Sequence, residues 1–143
     1  MRVLILGGTG QLGKGFVSHL TDSGTINFAE TGIEGFTDVK VVPRSVDITD
    51  PGALRATFTD YQPDWIINAA ADTQVDAAEL APFQAIATNA GGAANVALCA
   101  KEVGARLIYF STESVFDGRS TVPYSESDVR NPLSVYSISK QAG

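Results

Sequence analysis

The chain is poor in cysteine, histidine, clustered basic residues and long apolar runs. Cys99 is the only cysteine among 143 residues, so no internal disulfide can form. It lies in "NVALCAKEVG", where it reads as a small buried apolar residue on a helix, and a reducing compartment suits it. His19 is the only histidine. Without Cys or His partners it builds no metal cluster, so no metal is expected and His19 is read as a structural or surface residue. Lys and Arg number 10 against 16 Asp and Glu, a net charge of −6. With no basic run, duplex nucleic acid and anionic membrane are unlikely partners. No apolar stretch approaches the roughly 20 residues needed to span a bilayer. The opening "MRVLIL" is too short for a signal-peptide core and runs straight into glycines. A soluble, cytoplasmic protein is expected. Internal repeats, low-complexity tracts, a nucleophile elbow, a P-loop lysine and a paired-carboxylate signature are also missing.

What is present suits one packed domain: 44% hydrophobic and 18% charged residues, with a length of about one domain. Strand and helix patterns alternate. "RVLIL" (2–6) is a short apolar run ending in glycines, a buried strand. From Gln11, the apolar residues Leu12, Phe16, Val17 and Leu20 share one helical face. Residues 22–38 read as a connection, and "VKVV" (39–42) as a second strand. Asp50-Pro51 supplies an N-cap and a first-turn proline for a helix that buries Leu54 and Phe58. "DWIINAAA" (64–71) is a third strand. Residues 81–104 read as one long helix, with Phe83, Ile86, Ala87, Ala90, Ala94, Ala97 and Leu98 at helical spacing. "ARLIYFST" (105–112) is a fourth strand, followed by a polar loop (113–133) and a helix starting at "SVYSISKQAG". This alternation predicts an α/β fold, a doubly wound parallel sheet with helices on both faces. Its ligands belong beyond the carboxyl ends of the strands. Four strands are fewer than the six or more usual in such sheets, so the chain is expected to be part of a longer one.

Three regions meet at that edge. Gly7, Gly10 and Gly13 in "GGTGQLG" follow a strand and open a helix, the context in which such spacing cradles a pyrophosphate. After the second strand, Arg44 suits a 2′-phosphate, while Asp47 and Ile48 can flank an adenine. Tyr136 and Lys140 stand four apart on one helix, so the ammonium can lie beside the phenol and favour its ionised form. Such a tyrosine can exchange a proton with a carbonyl or alcohol oxygen. Ser111-Thr112, at the end of the fourth strand, adds a hydroxyl for the same oxygen.

With these residues in place, the chain resembles the dTDP-4-dehydrorhamnose reductase family of the extended short-chain dehydrogenase/reductases, which have an NAD(P)-binding Rossmann-like domain. The resemblance rests on "GGTGQLG", "DITD", "PDWIINAAADTQVDAAE", "STESVFDG", "PYSESD" and "NPLSVYSISKQAG". It implies that residues 1–143 are the NAD(P)-binding domain and precede a small C-terminal substrate domain. It implies NAD(P)H as cofactor and a nucleotide-sugar substrate reduced at a C4 ketone; Arg44 makes NADP(H) the preferred form, with NAD(H) as an alternative. Thr112, Tyr136 and Lys140 match the catalytic trio. Gly10, Gln11, Leu12, Asp47, Ile48, Ala69, Ala70 and Ala71 match cofactor contacts, and Thr112 and Glu113 a substrate pair. Glu113 and Ser114 stand where the family usually has aspartate and tyrosine. A single acid after the threonine argues against dehydration. A homodimer is compatible with this reading. Two alternatives remain at this point: a non-catalytic regulatory subunit of the same fold, and an NAD-dependent sugar-nucleotide epimerase.

Overall fold

The computed structural model describes residues 2–23, 38–41 and 46–143. Its centre is a four-stranded parallel sheet in the order β2-β1-β3-β4. The strands are β1 (Arg2–Leu6), β2 (Asp38–Val41), β3 (Trp65–Asn68) and β4 (Arg106–Tyr109). Leu6 stands opposite Asn68, and Asn68 opposite Tyr109, so the loops that follow β1, β3 and β4 leave the sheet side by side. β1 has the bounds the sequence predicts, while β3 and β4 end earlier than the runs 64–71 and 105–112.

Helices cover both faces, as a fully apolar parallel strand requires. On one face Leu4, Leu6 and Ile66 pack with Ile48, Leu54, Phe58, Val96, Cys99 and Ala100. Leu54 and Phe58 come from α2 (Pro51–Tyr61), and the last three residues from α5 (Ala93–Glu102). On the other, Val3, Ile5 and Ile67 meet Phe16 and Val17 of α1 (Gln11–Ser23). Each fully buried large aliphatic or aromatic side chain contributes about 1.5–3 kcal/mol to the transfer term. The α2 start is as the sequence predicts: the Asp50 carboxylate accepts from the N–H groups of Gly52 and Ala53, with Pro51 in the first turn. Cys99 is buried, and His19 lies on the exposed side of α1. No described helix is long and apolar enough to cross a membrane.

The helix expected over 81–104 is present from Pro82 to Glu102, with helical backbone at each junction, but a π turn lies within it and a separate short helix precedes it. The structure has α3 (Val75–Leu80), α4 (Pro82–Ile86), a π turn (Ala87–Gly92) and then α5. Phe83 before the π turn and Leu98 after it both lie out in solvent, so the helix packs on a different face from the expected stripe. The buried positions are instead Ala85, Asn89, Gly92, Ala93, Val96, Cys99 and Ala100. Gly92 is needed there because a Cβ would stand 2.6 Å from a methylene of Ile48. After β4 come a 3₁₀ turn (Glu113–Val115) and α6 (Val135–Ala142).

Candidate cofactor and proton-transfer site

The glycine loop is shaped by close approach of two backbones. Gly7 has φ +74°, and a Cβ on it would lie 2.6 Å from the Ala70 nitrogen and 2.7 Å from the Ala69 carbonyl carbon. Gly13 is buried under the loop, where a Cβ would collide with the Gly7 oxygen and stand 2.7 Å from Gly8 Cα. Gly10 differs: it donates its N–H to the Gly7 carbonyl at 3.0 Å, and the nearest atom to an added Cβ is that oxygen at 3.4 Å. Gly7 and Gly13 thus let the loop fold, and Gly10 faces open space.

Two adjoining cavities lie over the carboxyl ends of the strands. The first is lined by Leu6 to Gly10, Val46 to Ile48, Ala69 to Ala71 and Thr88. Asp47 accepts the Thr49 N–H, and Asn95 holds the Ile48 carbonyl, so this loop is tied to α5. The second cavity is lined by Gly10, Gln11, Leu12, Asn68, Ala69 to Ala71, Thr73, Phe110, Ser111, Tyr136 and Lys140. The structure therefore brings together the glycine loop, Asp47, Ile48, Ala69–Ala71, Tyr136 and Lys140. Arg44 lies outside the described residues. Thr112 and Glu113 line a neighbouring cavity with Tyr124, Glu126 and Arg130, and Ser111 borders both. The Thr112 hydroxyl donates to the Glu113 carboxylate at 3.0 Å and accepts the Ser114 N–H. Glu113's own backbone N–H, with the Thr112 and Ser114 hydroxyls, holds its carboxyl below the usual range.

Tyr136 and Lys140 sit on α6, whose N-terminus is capped twice. Ser134 accepts the Ser137 N–H, and Glu79 of α3 accepts the Val135 N–H at 2.8 Å. Tyr136 is half-buried, and Lys140 is only 5% exposed. Burial pushes the Lys140 ammonium pKa down.

Sequence reasoning missed two supports. Asn89, buried inside the π turn, donates to the Asp72 carbonyl and to Ser139 Oγ and accepts the Asp72 N–H. Ser139 in turn donates to the Tyr136 carbonyl at 2.6 Å. One buried side chain thus ties the loop after β3 to the helix bearing Tyr136. The other support is Asn68, whose Oδ1 accepts the Ala70 N–H. Its Nδ2 is buried with no partner, at the floor of the second cavity. Such an orphan donor costs about 1–3 kcal/mol unless something polar comes to it. The unpaired donor, the close-packed glycine loop and the adjacent helix N-terminus fit a dinucleotide phosphate group. Among the described residues no cluster of three or more potential metal ligands occurs.

The family model described as RmlD substrate binding domain matches residues 1–143. The dTDP-4-dehydrorhamnose reductase of Escherichia coli K12 is 36% identical over all of this chain and 45% of its own length. The methionine adenosyltransferase 2 subunit beta of Rattus norvegicus is 36% identical over 99% of the chain and 41% of its own. The crystal structure of dTDP-4-dehydrorhamnose reductase from Bacillus anthracis, in complex with NADP, superposes with TM-score 0.83 at 35% identity, covering 99% of this chain and 46% of that one. The chain spans about half the length of the curated relatives it matches. With a four-stranded parallel Rossmann-like sheet and a match along its whole length, it belongs to the RmlD substrate binding domain family.

Proposed function

We propose that residues 1–143 form the NAD(P)-binding domain of an NADPH-preferring reductase acting on the C4 ketone of a deoxysugar nucleotide, similar to dTDP-4-dehydrorhamnose. The observation that carries this reading is one cavity shared by Gly10–Leu12, Ala69–Ala71, Tyr136 and Lys140. A cradle for a dinucleotide and a proton donor with a cationic neighbour are the two things a ketone reductase needs side by side. The reduced nicotinamide supplies the hydride. Tyr136 donates its hydroxyl proton to the ketone oxygen as the alcohol forms. Lys140 favours the phenolate left behind and holds the cofactor ribose. Thr112 orients the carbonyl, and Glu113 meets the sugar from the neighbouring cavity. Arg44 is assigned to the 2′-phosphate; replacing it with alanine should erase a preference for NADPH over NADH.

The test is NADPH oxidation with a panel of 4-keto deoxysugar nucleotides. General acid catalysis supplies about 10²–10⁴-fold, so Tyr136→Phe should lose that much of kcat. Equal rates for variant and parent across the panel would sink the proposal. The likeness to the rat beta subunit supports a second reading, a regulatory subunit that keeps the nucleotide site. Co-purification with a larger enzyme, with no NADPH turnover, would favour it.

A further inference from the structure

Lys140 poses a problem of charge. The residue is 5% exposed, and withdrawing a cation from water without a charged partner is costly. Among the described residues it has neither an ion pair nor a hydrogen bond; the ion pair there is Arg55 with Glu102. The elements packed against α6 offer few charges. Asp76 and Glu79 lie on α3, and Glu79 is engaged by the Val135 N–H. Glu113 lies on the 3₁₀ turn and is engaged by Thr112 and Ser114. α4 and the π turn carry no titratable residue. On α6 itself the neighbour is Tyr136, and on β4 it is Tyr109.

Tyr109 answers the problem. The Lys140 Nζ stands 4.2 Å from the centroid of its ring, well inside the roughly 6 Å within which a ring quadrupole attracts a cation. The ring is itself fixed. Tyr109 ends β4, in register with Asn68, and its hydroxyl donates to the Asn89 carbonyl at 3.3 Å. Burial, and then the nearness of Tyr136, push the Tyr109 phenol upward, so it presents a neutral ring face at physiological pH.

We propose that Tyr109 is a positioning residue: its ring is the seat on which the Lys140 ammonium is held, charged, against the cavity shared with Tyr136. The seat supplies the electrostatic partner that no carboxylate provides, without an anion that would compete for the cation during proton transfer. The π turn is part of the device, because it brings the Asn89 carbonyl to the Tyr109 hydroxyl. The effect on turnover rests on the reductase reading, but the seat itself can be tested without any substrate.

The experiment is a pH titration of the Lys140 side chain by NMR, with carbon-13-labelled lysine in the full chain and the signal assigned by its loss in Lys140→Met. Tyr109→Phe keeps the ring but loses the bond to Asn89, and its midpoint should fall by less than that of a variant without the ring. Tyr109→Leu removes it and should lower the midpoint by about one pH unit, a tenfold change in acidity. Replacing Tyr109 with phenylalanines of increasing fluorination keeps the shape while draining the ring face, and should lower the midpoint stepwise. This series decides the matter even if the leucine variant fails to fold. A flat response to fluorination, or a leucine variant that titrates with the parent, overturns the proposal. A stepwise response in a protein that never oxidises NADPH would uphold the seat and sink the reductase reading alone.

Discussion

The three glycines of "GGTGQLG" should separate cleanly under alanine substitution. Gly7→Ala faces two penalties. An alanine at φ +74° costs about 1–2 kcal/mol, and its Cβ would press on the Ala69–Ala70 backbone, where overpacking costs about 1–3 kcal/mol more. The sum, about 2–5 kcal/mol, is a large part of a domain's usual stability of about 5–15 kcal/mol. Gly13→Ala gains about 0.8–1 kcal/mol of helix propensity but drives a methyl into the backbone of Gly7 and Gly8, so it too should destabilise, by overpacking alone. Gly10→Ala meets one atom, at ordinary contact distance, and should stay within about 0.5 kcal/mol of the parent, as unremarkable surface positions do. Yet Gly10 lines both cavities, and a methyl there should weaken NADPH about tenfold or more, or about 1.4 kcal/mol. Urea unfolding gives the stabilities, and fluorescence titration with NADPH gives the affinities. The reasoning is refuted if Gly10→Ala destabilises as much as Gly7→Ala, or if it binds NADPH as tightly as the parent.

Two further perturbations test the supports of the site. Asn89→Ala strips three hydrogen bonds and leaves both polar backbone groups of Asp72 without a partner; it should cost about 2–4 kcal/mol in urea unfolding, and a loss below about 1 kcal/mol would show the tie to be idle. Asp117 accepts from the Arg119 N–H, Tyr124 Oη and Asn131 Nδ2, and these bonds, the Arg119 N–H foremost, hold its carboxyl below the usual range. A depressed carboxyl contributes its stability above the ordinary Asp range and loses it as pH falls through the lower, folded value. The loop should therefore keep its order from neutral pH down through the ordinary Asp range and loosen only below it, as read from the Asn131 side-chain amide signals. Asp117→Asn should abolish that acid step, and an unchanged step would assign it to another group.

The alternation of elements was legible because each strand is a short apolar run closed by turn residues. The α2 start was legible because Asp-Pro encodes a cap and a first turn in two letters. The region after β3 was not. Val75–Leu80 has no side-chain cap to announce a helix, and Ala81-Pro82 hides the break between α3 and α4 within an alanine-rich stretch. Alanine suits any face, so a stripe of alanines cannot report which side is buried. Phe83 before the π turn and Leu98 after it both stand in solvent while Ala85, Asn89, Val96 and Cys99 are buried, so hydrophobic spacing points to the wrong side.

The same turn explains why the site was only partly legible. Residues that touch a ligand announce themselves through motifs: glycines at fixed intervals, or a tyrosine and a lysine four apart. Residues that hold those groups in place do so through contacts between distant segments, and such contacts have no spacing. Asn89 meets Ser139 across 50 positions, and Glu79 meets Val135 across 56. Tyr109 reads as one more apolar letter in a strand until Lys140 is found above its ring. A π turn is held by what it places, since its own hydrogen bonding is no better than that of the α-helix it interrupts. Here it places a carboxamide that braces the helix of Tyr136 and a carbonyl that braces the ring under Lys140. That double purpose is a physical reason for the chain to keep a turn its local sequence does not favour, and it makes the π turn part of the support beneath Tyr136 and Lys140.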